Sequence, residues 1–394
     1  MKKLGYLMGA ALLTLGSCTN QINEEGFVDK ANTISFNAYP NKTRAVDGDV
    51  KSDNMKGDNF GVVGYNSNSI YLGSSNAAIQ QTWKTDENVT GGGSWEYMTQ
   101  SDLKFWPSSG TMRFFAYFPF SDNATFSESI SENGTVMTIP NLTCNHDVLF
   151  ASTNSLSYQE RVPLTFYHAF SKIKTVNVSI GDNADKGYVK DAGVSVEIQK
   201  VEFINTSTKG DVKVNNSGVA SYSVNPSNVT LSETLASAVT INNTNASKNL
   251  IDNGTNAKGY LFATNSSVTN SVIGTGNTMW NGTTTSWADG TTLENLGQVC
   301  LKLTCKVWNG TDSKCYYVGG DGDNNYGEVY IPLKGTDSNN NSVSTFEAGK
   351  RYIYNIVFKD NVGFRDNGDP VLRPILFKVE KVSDWSDVTV TITL

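Results

Sequence analysis

The sequence has few of the residues that most often carry catalysis or bind metals. It contains two histidines, His146 and His168, and five cysteines, none of which are in Cys-x-x-Cys spacing. It has no Gly-x-Ser-x-Gly motif, no phosphate-binding glycine loop and no pair of carboxylates in a pattern typical of acid–base catalysis. His168 falls on the apolar face of a predicted strand, which favours a buried structural histidine. The sequence therefore predicts neither an enzyme nor a cofactor.

Charge is also scarce. Charged residues make up 18% of the chain, the net charge is -7, and no basic patch is apparent. This argues against a nucleic-acid partner, because the phosphate backbone selects clustered lysine and arginine. The acidic segment 321–325 alternates oxygen-bearing side chains as calcium loops do, but it lacks the glycine and the late glutamate of an EF-hand. A turn without a metal is the favoured interpretation.

Long apolar runs are absent after the N-terminus, and the N-terminal run is itself short. Lys2 and Lys3 precede the run 4–15, which is shorter than the roughly 20 residues of a membrane-spanning helix. Gly16, Ser17 and Cys18 follow, in the order of a lipoprotein cleavage site. The pattern predicts a signal peptide over 1–17 and acylation of Cys18, which would anchor the protein in the outer membrane. An ordinary signal peptide with an incidental cysteine is the alternative.

The composition instead favours short strands joined by polar turns. Glycine (35), phenylalanine (18) and tyrosine (17) are abundant, and much of the remainder is Asn, Ser and Thr. Many short alternating segments predict an all-β protein built of β-sandwiches. One segment, Ser232 to Val239, is compatible with a short helix. The main strands are predicted at 33–39, 60–65, 111–118, 147–151, 162–170, 173–180, 194–204, 298–308, 314–318, 326–333, 350–359, 375–382 and 388–394.

Local irregularities are also predicted. Residues 111–118 are apolar on both faces, which indicates a strand covered on both sides. The apolar phase shifts near Gln199 and near Ser171–Lys172, and each shift predicts a β-bulge. Cys305 and Cys315 flank an Asn309–Gly310 turn signal. A disulfide across that hairpin and buried thiols are both compatible with the pattern, while Cys144 and Cys300 give no pairing pattern.

Several motifs together resemble the fimbrillin-like family, the subunits of type V pili. The N-terminal half contributes Trp106–Pro107, an aromatic strand over 112–119, and two segments at 147–151 and 162–173. The C-terminal half contributes 349–354 and 379–385. The order and spacing of these motifs identify the chain as a member of the family, from the lipoprotein signal to the last strand.

The resemblance implies two transthyretin-like β-sandwich domains in tandem. In this chain they correspond to residues 45–185 and 186–394. They follow the signal peptide (1–17) and a segment, 18–44, that contains the tether and the first strand.

The resemblance also implies a mode of assembly. An arginine-specific protease would cut between Arg44 and Ala45 and remove the strand at 33–39. The C-terminal strand of a neighbouring subunit would fill the groove, with Val388, Val390, Ile392 and Leu394 as its inward-facing residues. Two alternatives remain: Arg44 is only a turn residue, or the last strand closes its own sandwich.

The expected function is thus a structural pilus subunit on the cell surface that contributes to adhesion. Its partners would be other pilus subunits through head-to-tail strand exchange, the outer membrane through its lipid anchor, and a host or bacterial surface ligand. The competing class is a surface glycan-binding lipoprotein that does not polymerise. For that class Trp280 and Trp287, which lie in loop-like sequence, are the candidate sugar-stacking residues, whereas Trp106 and Trp385 are predicted in the core.

Overall fold

The computed structural model consists mainly of β-strands. It describes residues 32–40, 55–90, 92–121, 124–126, 135–143, 146–180, 194–206, 209–215, 220–224, 229–242, 247–252, 260–262, 279–282, 292–295, 297–309, 314–315, 326–337, 341–358, 376–380 and 386–393. Within these residues no helix combines the length and the apolar character needed to cross a bilayer. The predicted all-β class is confirmed.

The first eleven strands come from the N-terminal half of the chain. They are β1 (Phe36–Pro40), β2 (Phe60–Asn66), β3 (Ser69–Leu72), β4 (Ile79–Thr85), β5 (Gly93–Tyr97), β6 (Met112–Phe118), β7 (Thr125–Phe126), β8 (Thr135–Thr143), β9 (Leu149–Ser152), β10 (Val162–His168) and β11 (Phe170–Ile180). A 3-10 turn, Gln100–Asp102, lies between β5 and β6.

The remaining strands come from the C-terminal half. They are β12 (Val194–Thr206), β13 (Lys209–Asn215), β14 (Ala220–Val224), β15 (Val229–Ile241), β16 (Ser247–Asp252), β17 (Tyr260–Phe262), β18 (Cys300–Asn309), β19 (Lys314–Cys315), β20 (Gly327–Pro332), β21 (Gly335–Thr336), β22 (Ser342–Val343), β23 (Lys350–Phe358), β24 (Leu376–Glu380) and β25 (Ser386–Thr393). A second 3-10 turn, Leu293–Asn295, precedes β18.

The largest sheet contains eight strands in the order β3-β2-β4-β5-β1-β10-β9-β6. Strand β2 also pairs with β6, so the pairings form a closed circuit around one apolar core. Strand β6 faces two cores, as its two-sided apolar sequence predicts. Phe114 and Ala116 lie in the enclosed core, whereas Phe115 and Tyr117 pack on the opposite side.

A four-stranded sheet, β14-β13-β8-β7, covers that opposite side. Its buried residues include Met137 and Ile139 from β8 and Val212 and Val214 from β13. The β13–β14 hairpin therefore packs on strands of the N-terminal half although it follows β12 in the chain. The predicted domain boundary at 185/186 falls in 181–193, outside the described residues, and stays a prediction.

Two further sheets face each other over the second large core. One has the order β16-β11-β23-β25-β24, with β17 also on β11, and the other has β15-β12-β18-β19, with β20 also on β18. Alternate residues of the facing strands fill the space between the sheets, which is the pattern of a β-sandwich. Representative buried residues are Val176, Tyr354, Ile198, Leu303 and Val329.

The strand register tests the two β-bulges predicted near Gln199 and near Ser171–Lys172. Both partners of β12 skip Gln199 between Ile198 and Lys200, so the predicted bulge is confirmed. The bulge expected at Ser171–Lys172 lies slightly later, where the β11–β23 register shifts between Ile173 and Thr175.

The short helix with which Ser232 to Val239 is compatible does not form, because this segment belongs to β15. Leu235, Val239 and Ile241 recur at even spacing, and all three pack against the second large core. Strand β12 pairs with residues 231–234 and 239–241 of β15, on both sides of a register shift. Tertiary pairing therefore overrides a weak local helix preference.

Candidate assembly site

The N-terminal strand lies inside the largest sheet, where it bridges two other strands. Residues 36–40 of β1 pair in parallel with residues 162–166 of β10, and Phe36 is also paired with Trp95 of β5. Parallel pairing requires the chain to travel far between the two strands, here from Pro40 to Val162. Strand β1 is therefore the link between β5 and β10.

Side chains of this segment complete the enclosed core. Ile34 and Phe36 are fully or almost fully buried. The Phe36 ring makes edge contacts with Phe60 and Phe114, at centroid distances of 6.1 and 5.5 Å. Burial of each such side chain contributes about 1.5–3 kcal/mol, so these two anchors alone stabilise the segment by several kcal/mol.

Further backbone bonds hold the residues that precede β1. The Ile34 N–H donates to the Lys104 carbonyl at 2.9 Å, and the Trp106 N–H donates to the Asn32 carbonyl at 3.0 Å. The indole N–H of Trp95 donates to the Ala38 carbonyl at 3.3 Å. The sequence motifs gave no sign that 104–106 and Trp95 belong to this site. Removal of the segment 32–40 would leave hydrogen-bonding groups without their present partners on β10, on 104–106 and at Trp95.

The proposed cleavage position follows β1 closely. Pro40 is the last residue of the strand, and Tyr39, just before it, is 38% exposed. Arg44 and Ala45 lie four and five residues beyond Pro40, outside the described residues, as does Cys18. Their predicted roles stay predictions.

The C-terminal strand is a central strand of the second sandwich. Residues 386–393 of β25 pair in parallel with residues 350–357 of β23. On its other edge, residues 389–393 pair antiparallel with 376–380 of β24. Val388, Val390 and Ile392 are therefore within their own sheet in this structure, while Leu394 lies outside the described residues. The donor role of these residues stays a prediction.

Trp280, the proposed sugar-stacking residue, is fully buried, so its predicted surface role is wrong. It packs in a small core with Ile204, Leu293, Cys300 and Tyr330. Its backbone N–H donates to the Val299 carbonyl at 2.9 Å. The segment reads as a loop but folds across the end of β18, so its tryptophan is enclosed. Trp287 and Trp385 lie outside the described residues.

A charged cluster holds the 3-10 turn Leu293–Asn295 beside that small core. The Lys302 ammonium lies 2.9 Å from Glu294, 3.2 Å from Glu328 and 3.5 Å from Glu202. Burial acts to lower the pKa of Lys302, but the Glu294 hydrogen bond and the charges of Glu202 and Glu328 raise it overall. The hydrogen bond from Lys302 lowers the pKa of Glu294. Because the one ammonium of Lys302 joins carboxylates from separate segments, the cluster is a structural tether.

The remaining sequence candidates are also structural. His168 is buried and its Nδ1 lies 2.8 Å from a carboxylate oxygen of Asp147, which confirms a core histidine. Trp106 packs against the enclosed core, with its ring centroid 6.0 Å from that of Phe114. The calcium-like segment 321–325 lies outside the described residues.

Of the two alternatives for Cys305, the structure supports the buried thiol and not the disulfide. Cys315 is in register with Trp308, while Cys305 is opposite Gly327. Cys305 is a fully buried thiol. Burial raises its pKa to about 12. Cys144 lies outside the described residues.

The fold and the site define an all-β protein in which β1 and β25 each lie between two other strands of a sheet. Residues 43–369 match the model of the fimbrillin-like family. Since the match covers most of the sequence, the chain belongs to the fimbrillin-like family. This is a structural, non-enzymatic family, and membership implies a location at the cell surface.

The matching solved structures include proteins from Bacteroides and Parabacteroides species. A fimbrial protein from Bacteroides vulgatus is 14% identical, with a TM-score of 0.40 over 92% of this chain and 97% of that one. A proposed cell adhesion protein from Parabacteroides distasonis is 11% identical, with the same TM-score and coverage. A proposed cell adhesion protein from Bacteroides uniformis is 11% identical, with a TM-score of 0.33 over 91% and 96% of the two chains. The comparison with curated proteins gave no match.

Proposed function

We propose that the protein is a structural subunit of a bacterial surface pilus and that it polymerises by strand exchange. It is exported as a lipoprotein acylated at Cys18, which places the precursor in the outer membrane. A protease cuts between Arg44 and Ala45, and the strand at 33–39 is then replaced by the C-terminal strand of another subunit. The filament contributes to adhesion.

The observation that carries this proposal is the position of β1. The segment that precedes Arg44 contributes an interior strand, with Phe36 and Ile34 in the enclosed core. Loss of β1 would expose the edge of β10 together with an apolar slot, and an exposed edge of this kind recruits another strand. Main-chain bonds to β10 would supply affinity, and alternate side chains would fill the slot.

The spacing of the C-terminal strand fits that slot. Val388, Val390 and Ile392 recur at every second position. Ile34, Phe36 and Ala38 recur with the same period and pack in the enclosed core. The C-terminal strand can thus replace the strand at 33–39 and present apolar side chains at the same spacing to the core. Since donor and acceptor surfaces differ, the contact is head-to-tail and extends into a filament.

The proposal assigns two tandem transthyretin-like sandwiches to the chain. The circuit of strands that contains β1 and the pair of facing sheets that contains β25 are the two units. In this view β11 continues directly from β10 and joins them, because only Ala169 separates the two strands. Each unit has its own large core.

The test is controlled cleavage of the purified precursor, residues 18–394. An arginine-specific protease should cut after Arg44, and light scattering and electron microscopy should then detect filaments. Arg44→Ala should remain uncut at this position and monomeric. Lys42→Ala removes a neighbouring positive charge but keeps the arginine, so it should behave as the wild type. A product that is cut after Arg44 and stays monomeric would overturn the proposal.

A glycan-binding lipoprotein is the weaker candidate. Its sequence argument relied on Trp280 and Trp287, and the burial of Trp280 removes the first of these. Sugar binding that is lost in Trp287→Ala, without polymerisation of the cleaved wild type, would favour this class.

A further inference from the structure

The ladder between β1 and β5 contains a single pair of residues. Phe36 is in register with Trp95, and continuation of that register would bring Ala38 opposite Gly93. Gly93 has a φ of 155°, a conformation that residues with a side chain rarely adopt and that lies outside a regular strand. The ladder therefore ends at this pair, while β1 continues along β10 as far as Pro40.

A side chain bonds to β1 where this ladder ends. The indole N–H of Trp95 donates to the Ala38 carbonyl at 3.3 Å. The Val162 N–H of β10 donates to the Ser35 carbonyl, so the even-numbered residues of the strand direct their main-chain groups to the β5 side. Pro40, the next even-numbered residue, has no N–H to offer there. Trp95 thus replaces the main chain of β5 as the donor on this side of the strand.

Two aromatic side chains hold the Trp95 ring in this orientation. Its centroid lies 4.9 Å from that of Phe60 and 5.6 Å from that of Trp83, and both contacts are edge-to-face. Trp83 is also in register with Trp95 across β4 and β5. Because the buried ring is already ordered by packing, its hydrogen bond to Ala38 does not carry the entropy cost of ordering a mobile side chain.

The first half of the segment has more anchors than the second. Asn32 and Ile34 share main-chain hydrogen bonds with residues 104–106, and the Ile34 side chain is fully buried. Residues 37–40 include the exposed Tyr39, and they are held by the β10 ladder and by the Trp95 indole. Since local opening is easiest where buried contacts are few, the second half should open before the first.

We propose that the Trp95 indole N–H retains residues 37–40 in the slot, and that replacement of the strand starts at this half of the segment. The inference rests on the function proposed above. An incoming extended strand would pair first beside Gly93 and Ser94, where β5 has no ladder with β1 among the described residues. Trp95 would then donate to a main-chain carbonyl of the new strand. The same donor thus retains the first strand and recognises its replacement.

The test is residue-resolved hydrogen exchange on the full precursor, residues 18–394, with Trp95 replaced site-specifically by benzothienylalanine. This analogue keeps the fused ring but has no N–H. The amides of Asn37 and Tyr39, which are directed to β10, should exchange about tenfold faster, the order expected from loss of one hydrogen bond. The Ile34 amide, in the first half of the segment, should change less than threefold.

Trp106 provides the matched control. Its indole nitrogen is buried without a hydrogen-bond partner among the described residues, and its main-chain N–H bonds to Asn32 at the other end of the segment. The same analogue at Trp106 should change the exchange of Asn37 and Tyr39 less than threefold. The role of Trp95 is overturned if both replacements accelerate exchange equally or if neither does. Trp95→Phe and Trp106→Phe repeat the comparison with natural residues.

The order of opening is measured in the wild type, so it does not depend on the folding of any variant. After cleavage at Arg44, Asn37 and Tyr39 should exchange about tenfold faster than Ile34, as expected for a segment that opens from one end. Exchange of the three amides at one rate, or fastest exchange at Ile34, would overturn the proposed order.

A further readout separates this inference from the assembly mechanism. After cleavage, the Trp95 analogue should form filaments faster than the wild type, because the strand it must release is held less firmly. Accelerated exchange in the uncleaved analogue, with no filaments from either cleaved protein, supports retention by Trp95 and refutes the assembly proposal. Filaments from the wild type, with unchanged exchange in the analogue, refute the role of Trp95 and leave the assembly proposal standing.

Discussion

Strands β1 and β25 each pair with a strand on both sides, but the pairing of β25 is longer. Strand β1 pairs with β10 over five residues and with β5 at one, and it buries Ile34 and Phe36 in the enclosed core. Strand β25 pairs over eight residues with β23 and over five with β24. The two strands therefore differ in the length of their main-chain pairing, and the longer pairing of β25 is harder to break at one point.

Truncation after Ser386 should have the largest effect, because it removes β25 and its pairs on both edges. Main-chain bonds contribute about 1 kcal/mol each, so the loss is comparable with the whole stability of a domain. The second sandwich should lose its cooperative transition in calorimetry, while the transition of the first remains. An unchanged transition together with lost polymerisation would instead show that β25 is dispensable for its own domain.

Phe36→Ala should destabilise the first region by about 3–5 kcal/mol, the usual cost of emptying a buried phenylalanine site. Chemical denaturation would measure this change. Asn37→Ala alters the neighbouring exposed residue of the same strand and should stay within about 0.5 kcal/mol. Equal effects of the two changes would contradict the view that side-chain burial dominates at β1.

Cys305 provides a probe of the second core. With its pKa raised to about 12, the folded chain holds the thiol proton more tightly than the unfolded chain, whose thiol has the ordinary value of 9.0. Its stabilising contribution is complete below pH 9 and is lost as the pH rises towards 12. Denaturation titrations should show this decline in the wild type and less of it in Cys305→Ala.

Labelling of the same thiol compares the two regions directly. At pH 8, peptide mapping after alkylation should show slow modification of Cys305, because the thiolate is the reactive form. Truncation after Ser386 should accelerate the modification, whereas Phe36→Ala should not. Acceleration by both changes would mean that the two cores open together.

Glu294→Gln should give the smallest effect, since Glu294 is half exposed. Loss of the Glu294–Lys302 ion pair should lower the free energy of unfolding by about 0.5–1 kcal/mol, measured by urea denaturation at pH 7. The pKa of Glu294 is lowered in the folded state, so its contribution is present above pH 4.5 and fades as the pH falls below that value. Wild type and variant should therefore converge in acid, and a constant difference would contradict the tether.

Several features of the fold were predictable because local pattern and tertiary contact agree. The two-sided apolar sequence of 111–118 predicts a strand that is covered on both sides, and the phase change near Gln199 predicts a bulge. Ser232 to Val239 shows the opposite case, in which pairing with β12 decides the structure. For Trp280, polar neighbours in sequence suggested exposure, but packing against Leu293 and Tyr330 was invisible to a local pattern.

The sequence by itself determined the β class, the family and most strand positions, because alternation and turn residues act over a few neighbours. Tertiary structure alone decided which strands meet. The parallel pairs of β1 with β10 and of β25 with β23 join segments distant in the chain, and no local preference encodes such partners.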